Sequence, residues 1–597
     1  MTSNTFAIYA LLFGVYLVLF IGTRLTHHAK EILSGIHFAL LGLFALQGLA
    51  CLTFGMMGID LTLETINLAL LIPILFMAFW CYQDRHVIKT AVNGIHADRR
   101  IFFIYLMSFL LAMAAGLLFF TTDLVPSSMT GDPARHFMHI INPAEISPAQ
   151  THKPVYYLWA GMFIHALPAL HDDQLFVLFN IFVLGLSTSS CLLVFIKLFP
   201  TARWLAIFAV AMLVNFGYSL FALHFGYYTL LLSSAYLFAT IALLLEYKDA
   251  RDEKIYLAIT LLVIGVVLTH SYLAPDALFI LFGFDIWNTR RQRKKTLPEM
   301  AKHLPFWILI ILVTYASNLG LADGESIERT IAARGFVNND IWLNLLPFLP
   351  FVAWYFVRHW HTESAQLILL FTLSTALFSL IMGALLWTGH AAPYYLNRNQ
   401  IILLPLLVFA VIALIHEMEA HRATLSRWLY IAIAISVATP YLLLRNPPLA
   451  TANISFRDLL DDEHWVYLQN AITTSFSPLQ MSNRDRMLMR QIGTGESQCL
   501  AGIKDKVAVL GTDHETIWFY IYTHIYPSLF PRNDGFIEFD NYLRNYREWQ
   551  SSPPDSRIVI VNHFGFWNQR WILADIRSHA ALVCKGDSIE IYRKSAR

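Results

Sequence analysis

Charge is scarce in this sequence. Only 14% of its 597 residues are Asp, Glu, Lys or Arg, the 42 basic and 41 acidic side chains nearly cancel, and the formal net charge is +1. A chain so balanced has no global field to gather a polyanion, which argues against nucleic acid as a partner. Cysteine is scarce as well: there are five, with no CxxC pair and no Cys/His zinc spacing. No internal repeat and no low-complexity tract is present. What is abundant is apolar surface. Hydrophobic residues make up 57% of the chain and the mean hydropathy is +0.53, more than the cores of a soluble protein of this length could take up. The chain is therefore expected to reside in a membrane, where its 44 Phe, 26 Tyr and 15 Trp suit lipid-facing and interfacial positions.

Apolar runs long enough to cross a hydrocarbon core of about 30 Å recur along the sequence. They are read at 5–25, 33–54, 64–82, 101–121, 174–197, 203–222, 225–246, 255–271, 273–288, 305–321, 341–357, 366–388, 400–416 and 428–445, which makes fourteen. The first has no basic stretch before it and no small-residue cleavage site after it, so it reads as a retained helix. Lys and Arg collect in alternate loops, among them Arg85 to Arg100, Lys197 with Arg203, Lys248 to Lys254, Arg290 to Lys295, and Arg422 with Arg427. Keeping all these on the cytoplasmic side requires that the apolar run 154–170 does not cross, but lies as an interfacial or re-entrant helix. Both termini then face outside.

At about residue 446 the composition changes. Val507–Leu510, Arg557–Val561 and Ala580–Val583 are short β-prone runs, and Asp587–Arg593 alternates as a strand closing a hairpin after Lys585-Gly586. Phe539–Trp549 reads as a helix ended by Ser551-Ser552-Pro553-Pro554. A small extracytoplasmic α/β domain fits, and its two lone cysteines, Cys499 and Cys584, are expected to pair in an oxidising compartment. Cys51, Cys81 and Cys191 lie in apolar runs and read as buried thiols. The fold class is thus an α-helical polytopic membrane protein of about fourteen spans carrying a C-terminal α/β domain. Residues 1–100 hold three additional helices, 101–445 the core with its long loop 122–173, and 446–597 the external domain.

The conspicuous polar clusters all emerge on the expected outer face. In the long loop, Gly131-Asp132-Pro133 starts a turn or helix with Asp132 as its cap. Asp132, His136 and His139 then lie one turn apart on one face. They are the candidates for acid–base chemistry and, more weakly, for a divalent metal, although no supporting ligands accompany them. Further clusters are His224 to Tyr228, Thr269-His270-Ser271-Tyr272 with Asp276, Asp323 to Arg334, and Ala392 to Asn399. Each alone is ordinary interfacial chemistry. Their gathering at one surface is what an enzyme acting on a lipid-carried substrate needs.

Asp132-Pro133-Ala134-Arg135-His136 followed by His152-Lys153-Pro154-Val155-Tyr156-Tyr157-Leu158-Trp159 resembles the paired loop motifs of the GT-C membrane glycosyltransferases. The pattern is most similar to the protein mannosyltransferase-like and lipid A aminoarabinose transferase-like enzymes. Pro133 stands where that family has an acidic residue, and Val155 replaces its second proline. The resemblance implies a multi-spanning helical bundle with interfacial helices in the loop, and transfer of a sugar from a polyprenyl-phosphate donor to a glycan, lipid or protein acceptor at the outer face. It places the base or acceptor-orienting role on Asp132.

The chemistry of that transfer suits further residues. Charge grows on the departing phosphate, so a guanidinium there stabilises the transition state. Arg398 lies beside Tyr394 and Tyr395 at the start of an apolar run, at the height of a lipid phosphate. His270 and Arg334 are lesser candidates for donor or acceptor contact, and His136 is the alternative base. A bacterial cytoplasmic membrane is the expected location. The rival readings are a polysaccharide polymerase or ligase of similar geometry and a lipid or solute transporter, the latter marked by mid-span ionisable residues and inverted repeats.

Overall fold

The computed structural model describes 32–59, 99–120, 154–166, 171–206, 227–250, 253–292, 296–318, 349–387, 399–421, 483–500, 507–510, 538–553, 556–561, 570–587 and 589–594, with some single residues between. The described chain is mostly helical, with one small sheet near its C-terminus. In chain order its longer apolar helices are α1 (Ile32–Met56), α2 (Arg99–Phe120), α3 (Pro154–Ala166), α4 (Asp172–Leu198), α5 (Tyr228–Ala250), α6 (Glu253–Thr269), α7 (Ala274–Arg291) and α8 (Thr296–Asn318), followed by α9 (Leu349–His359), α10 (Glu363–Trp387) and α11 (Gln400–His421).

Three stretches are long and apolar enough to cross a membrane: Asp172–Leu198, Tyr228–Asp249 and Met300–Ser317. The expectation of fourteen spans is not established by these helices. Five more apolar helices among the described residues are shorter, and the expected runs 5–25 and 428–445 lie outside the described residues. Helices α4 and α5 form the centre, and both are buried along nearly their whole length. By contrast, α8 turns Leu304, Ile308, Ile311, Leu312 and Tyr315 outward. A row of exposed large apolar groups on a helix with no polar counterface is what a lipid environment accepts and water does not.

Helix direction is fixed by close approaches. A Cβ on Gly116 of α2 would lie 3.1 Å from Ile181 of α4, and one on Gly185 of α4 would lie 2.7 Å from the ring of Phe109. The small residues let α2 and α4 meet closely, and the pairing 116 with 181 and 109 with 185 makes them antiparallel. The end of α2 and the start of α4 therefore lie at the same end of the bundle.

The other end collects the basic side chains. Lys197 of α4 pairs with Glu246 of α5 at 2.7 Å, and Glu363 at the start of α10 is clamped by Lys248 of α5 and, at 2.5 Å, by Arg291 of α7. Glu417 of α11 likewise meets Arg358 at 2.7 Å and His359. Burial pushes the Glu363 carboxyl up, but its bonds to Lys248 and Arg291 outweigh this and hold it below its ordinary value. Because the folded pKa is depressed, the clamp stabilises above the ordinary carboxylate range and is lost as pH falls through the depressed value. Glu363→Gln is expected to melt lower than wild type at about pH 7, with the difference shrinking as pH falls through the depressed value, in thermal melts of the detergent-solubilised protein.

The C-terminal unit has α12 (Asn483–Gly493), β1 (Ala508–Leu510), α13 (Glu538–Ser551), β2 (Arg557–Val561), α14 (Arg570–His579), β3 (Ala580–Lys585) and β4 (Ile589–Lys594). Strand order is β1-β2-β4-β3, with β1 parallel to β2 and the remaining pairs antiparallel. The hairpin turn sits on α12: Asp485 accepts hydrogen bonds from the backbone N–H of Asp587 at 2.8 Å and of Ile589 at 3.3 Å. Any Cβ at Gly586 would collide with that carboxylate, so the turn requires glycine. Alternation along the strands gives the sheet two apolar faces. Ile558, Ile560 and Tyr592 pack with Trp549, Ile572 and Ile576 of the flanking helices. Val559, Ile589 and Ile591 belong instead to the core shared with the membrane-type helices. The expected disulfide is present: Cys499 and Cys584 are bonded, with Cα atoms 5.8 Å apart. Cys51 and Cys191 are buried free thiols, and Cys81 lies outside the described residues.

Candidate functional site

The site grows from α3. Its sequence Pro154-Val155-Tyr156-Tyr157 places proline where the missing N–H costs nothing and turns Tyr156 fully inward. Tyr156 donates to Asn180 Oδ1 of α4 at 2.9 Å, and Asn180 in turn donates to the carbonyl of Phe176 at 2.8 Å. This satisfied pair fixes α3 against α4. On the other flank, Trp159 packs on Phe44 of α1, with ring centroids 3.6 Å apart.

His136 comes down onto this platform. Its Nδ1 lies 2.9 Å from the Tyr157 hydroxyl, and its ring is 5.2 Å from Tyr156 and 6.0 Å from Tyr228, the first residue of α5. Phe137 beside it packs between Phe176 of α4 at 5.2 Å and Trp518 of the C-terminal unit at 5.7 Å. His136 thus sits against α3 and α5, while its neighbour Phe137 reaches the C-terminal unit. Aromatic rings and the Tyr157 hydroxyl are among the described neighbours of His136, so the ring can take or give a proton there.

His270 follows the last residue of α6, caps the short turn Ser271–Leu273 and is buried. It belongs to the same end of the bundle: Leu268 of α6 and Val155 of α3 both lie against Gly48 of α1. The structure therefore brings two of the expected site residues, His136 and His270, to one end. Asp132, His139, Arg334, Tyr394, Tyr395 and Arg398 lie outside the described residues. Among the described residues no three His, Cys, Asp or Glu side chains gather as a metal site.

Sequence reasoning missed a charged cluster beside this platform. Asp173, in the first turn of α4 and 1% exposed, meets Arg490 Nη2 and, at 3.5 Å, Arg486 Nη1 of α12. The Tyr522 hydroxyl donates to its Oδ2 at 2.7 Å. Arg490 also lies over the Tyr522 ring at 5.5 Å. Burial first, and then the Asp173 carboxylate, push the Tyr522 phenol well above its ordinary value, so it stays a donor. Tyr522 stacks on Trp518, the residue against Phe137. The only signal in the sequence was Asp172-Asp173 heading an apolar run, which reads equally well as a helix start.

Comparison with protein-family models and with curated proteins finds no match to this chain.

Proposed function

We propose that this chain is a membrane glycosyltransferase of GT-C type that moves a sugar from a polyprenyl-phosphate donor to a glycan, lipid or protein acceptor at the outer face of a bacterial cytoplasmic membrane. The observation that carries this reading is the meeting of the two motif halves in space. His136 of the first half touches Tyr157 of the second at 2.9 Å. Helix geometry supports the orientation. The loop 121–171 starts and ends at the end of the bundle away from the paired basic groups, and α3, at about 20 Å long from a rise of ~1.5 Å per residue, is too short to cross. The disulfide suits an oxidising side for the C-terminal unit.

On this reading the acceptor hydroxyl loses its proton to Asp132, with His136 as the alternative base, and its oxygen attacks the anomeric carbon. The bond from that carbon to the phosphate oxygen breaks, and the lipid phosphate leaves with the electron pair, inverting the centre. Arg398 stabilises the charge that grows on the phosphate, with Tyr394 and Tyr395 at its side. His270 and Arg334 hold donor or acceptor.

Transfer from radiolabelled polyprenyl-phosphate sugars in proteoliposomes tests the reading. Asp132→Asn keeps a helix-cap acceptor of nearly equal quality but cannot take a proton. Transfer is expected to fall by roughly 10²-fold or more while expression and lipid binding persist. Near-normal transfer by the Asn variant rejects Asp132 as base and makes His136 the next residue to replace. No transfer from any polyprenyl-linked donor by wild type rejects the reading itself.

A further inference from the structure

One buried acid has no part in the mechanism above. Asp276 lies in the first turn of α7, six residues after His270, and is fully buried. Neither of its carboxylate oxygens has a hydrogen-bond partner. Several other buried polar groups of the bundle are answered from within the fold. Further along the same helix, Asp285 accepts from the Tyr256 hydroxyl at 2.7 Å and faces His303 Nδ1 at 2.9 Å. Ser187 meets Ser234 at 2.7 Å, and Tyr156 meets Asn180. A carboxyl group cut off from both water and donors is unfavourable, and its place in the fold calls for a partner that the folded chain does not supply.

The missing partner must bring donors. A hard divalent cation takes six or more oxygen ligands, and no acidic or histidine cluster gathers among the described residues to supply them. A pair of hydroxyl groups brings two donors to two oxygens and needs no further charge. Asp276 also sits at the right end of the bundle. The turn Ser271–Leu273 joins it to His270 and α6, whose Leu268 shares Gly48 with Val155 of the His136 platform.

Building on the proposed glycosyl transfer, we propose that Asp276 is the residue that recognises the sugar of the donor. Its carboxylate accepts hydrogen bonds from hydroxyl groups of the glycosyl unit, and so selects sugar-bearing polyprenyl phosphate over the bare lipid phosphate. Because the carboxyl is sealed from solvent, the sugar reaches it by displacing its present neighbours. Charge-assisted hydrogen bonds made in a dry site are those whose loss a binding site feels most.

Binding to the full-length protein in lipid nanodiscs tests this. The probes are polyprenyl phosphates carrying glucose, galactose, mannose or N-acetylglucosamine, and bare polyprenyl phosphate. Wild type is expected to bind at least one sugar-bearing lipid roughly tenfold or more tighter than the bare lipid. Asp276→Asn and Asp276→Leu are expected to lose that preference with bare-lipid binding unchanged. Asp276→Leu, which removes a buried acid without partners, is also expected to melt above wild type. A preference retained in both variants overturns the assignment and leaves the glycosyltransferase reading standing. A wild-type protein that binds bare and sugar-bearing lipid equally overturns it too. Binding of neither lipid overturns the reading and the assignment together.

Discussion

Asp173→Ala is expected to detach the C-terminal unit from the helix bundle. The carboxylate is 1% exposed and answers Arg486, Arg490 and the Tyr522 hydroxyl. Its removal leaves two guanidinium groups, one of them buried, without their carboxylate. Breaking a buried ion pair by deleting one partner costs about 3–5 kcal/mol, most of it from the charge left behind. The whole cost falls on one interface, because Asp173 heads α4 while its three partners come from residues 486 to 522. Limited proteolysis of the detergent-solubilised protein should show this as faster cleavage within 446–597, with the fragments holding α4 and α5 still protected. Asp173→Asn should do less harm, since the amide oxygen still accepts from Tyr522. Equal protease resistance of the Ala variant and wild type would show that apolar packing alone holds the unit in place.

Cys499→Ser is expected to weaken the C-terminal unit by an amount as large. The disulfide joins residues 85 apart, and a loop of that length corresponds in the chain-entropy model to about 4.5 kcal/mol, a model-dependent figure. The bond ties the turn after α12 to the edge strand β3, so its loss frees β3 from α12 while leaving the hairpin bonds to β4. Hydrogen exchange should rise first in Ala580–Lys585 and in the turn held by Asp485. Unchanged exchange there in the serine variant would mean that the shared apolar core holds β3 unaided. Both free thiols in protein purified without reductant would reject the pairing.

The helices and strands were largely legible because their signals are local. An unbroken apolar run fixes a helix by length alone, so the expected 174–197 became Asp172–Leu198 and 400–416 became Gln400–His421. The strand Arg557–Val561 was expected at the residues where it stands, since β-branched residues fill it and proline and glycine flank it. What sequence could not show was which polar groups turn inward. Tyr156 and Asn180 look like interfacial residues until α3 is laid on α4. Asp173 and Arg490 are 317 residues apart, and each alone reads as a helix-end charge. Asp276 was visible as part of an outer-face cluster, but its lack of partners depends on packing from several helices at once. The span count is the least legible quantity, because an apolar run of seventeen residues serves equally as a crossing or as a buried segment.

The way one face of the small sheet enters the core of the helix bundle has a consequence for how the protein is made. Val559, Ile589 and Ile591 find their partners on α12 and in the core that runs on into the bundle, and Tyr522 closes on an aspartate translated 349 residues earlier. The polar socket at the head of α4 stays open until the segment from Arg486 to Tyr522 has been synthesised. Assembly across this interface is therefore ordered: Trp518, Tyr522 and the two arginines close over Asp173 and Phe137 only after the helices before them have been made.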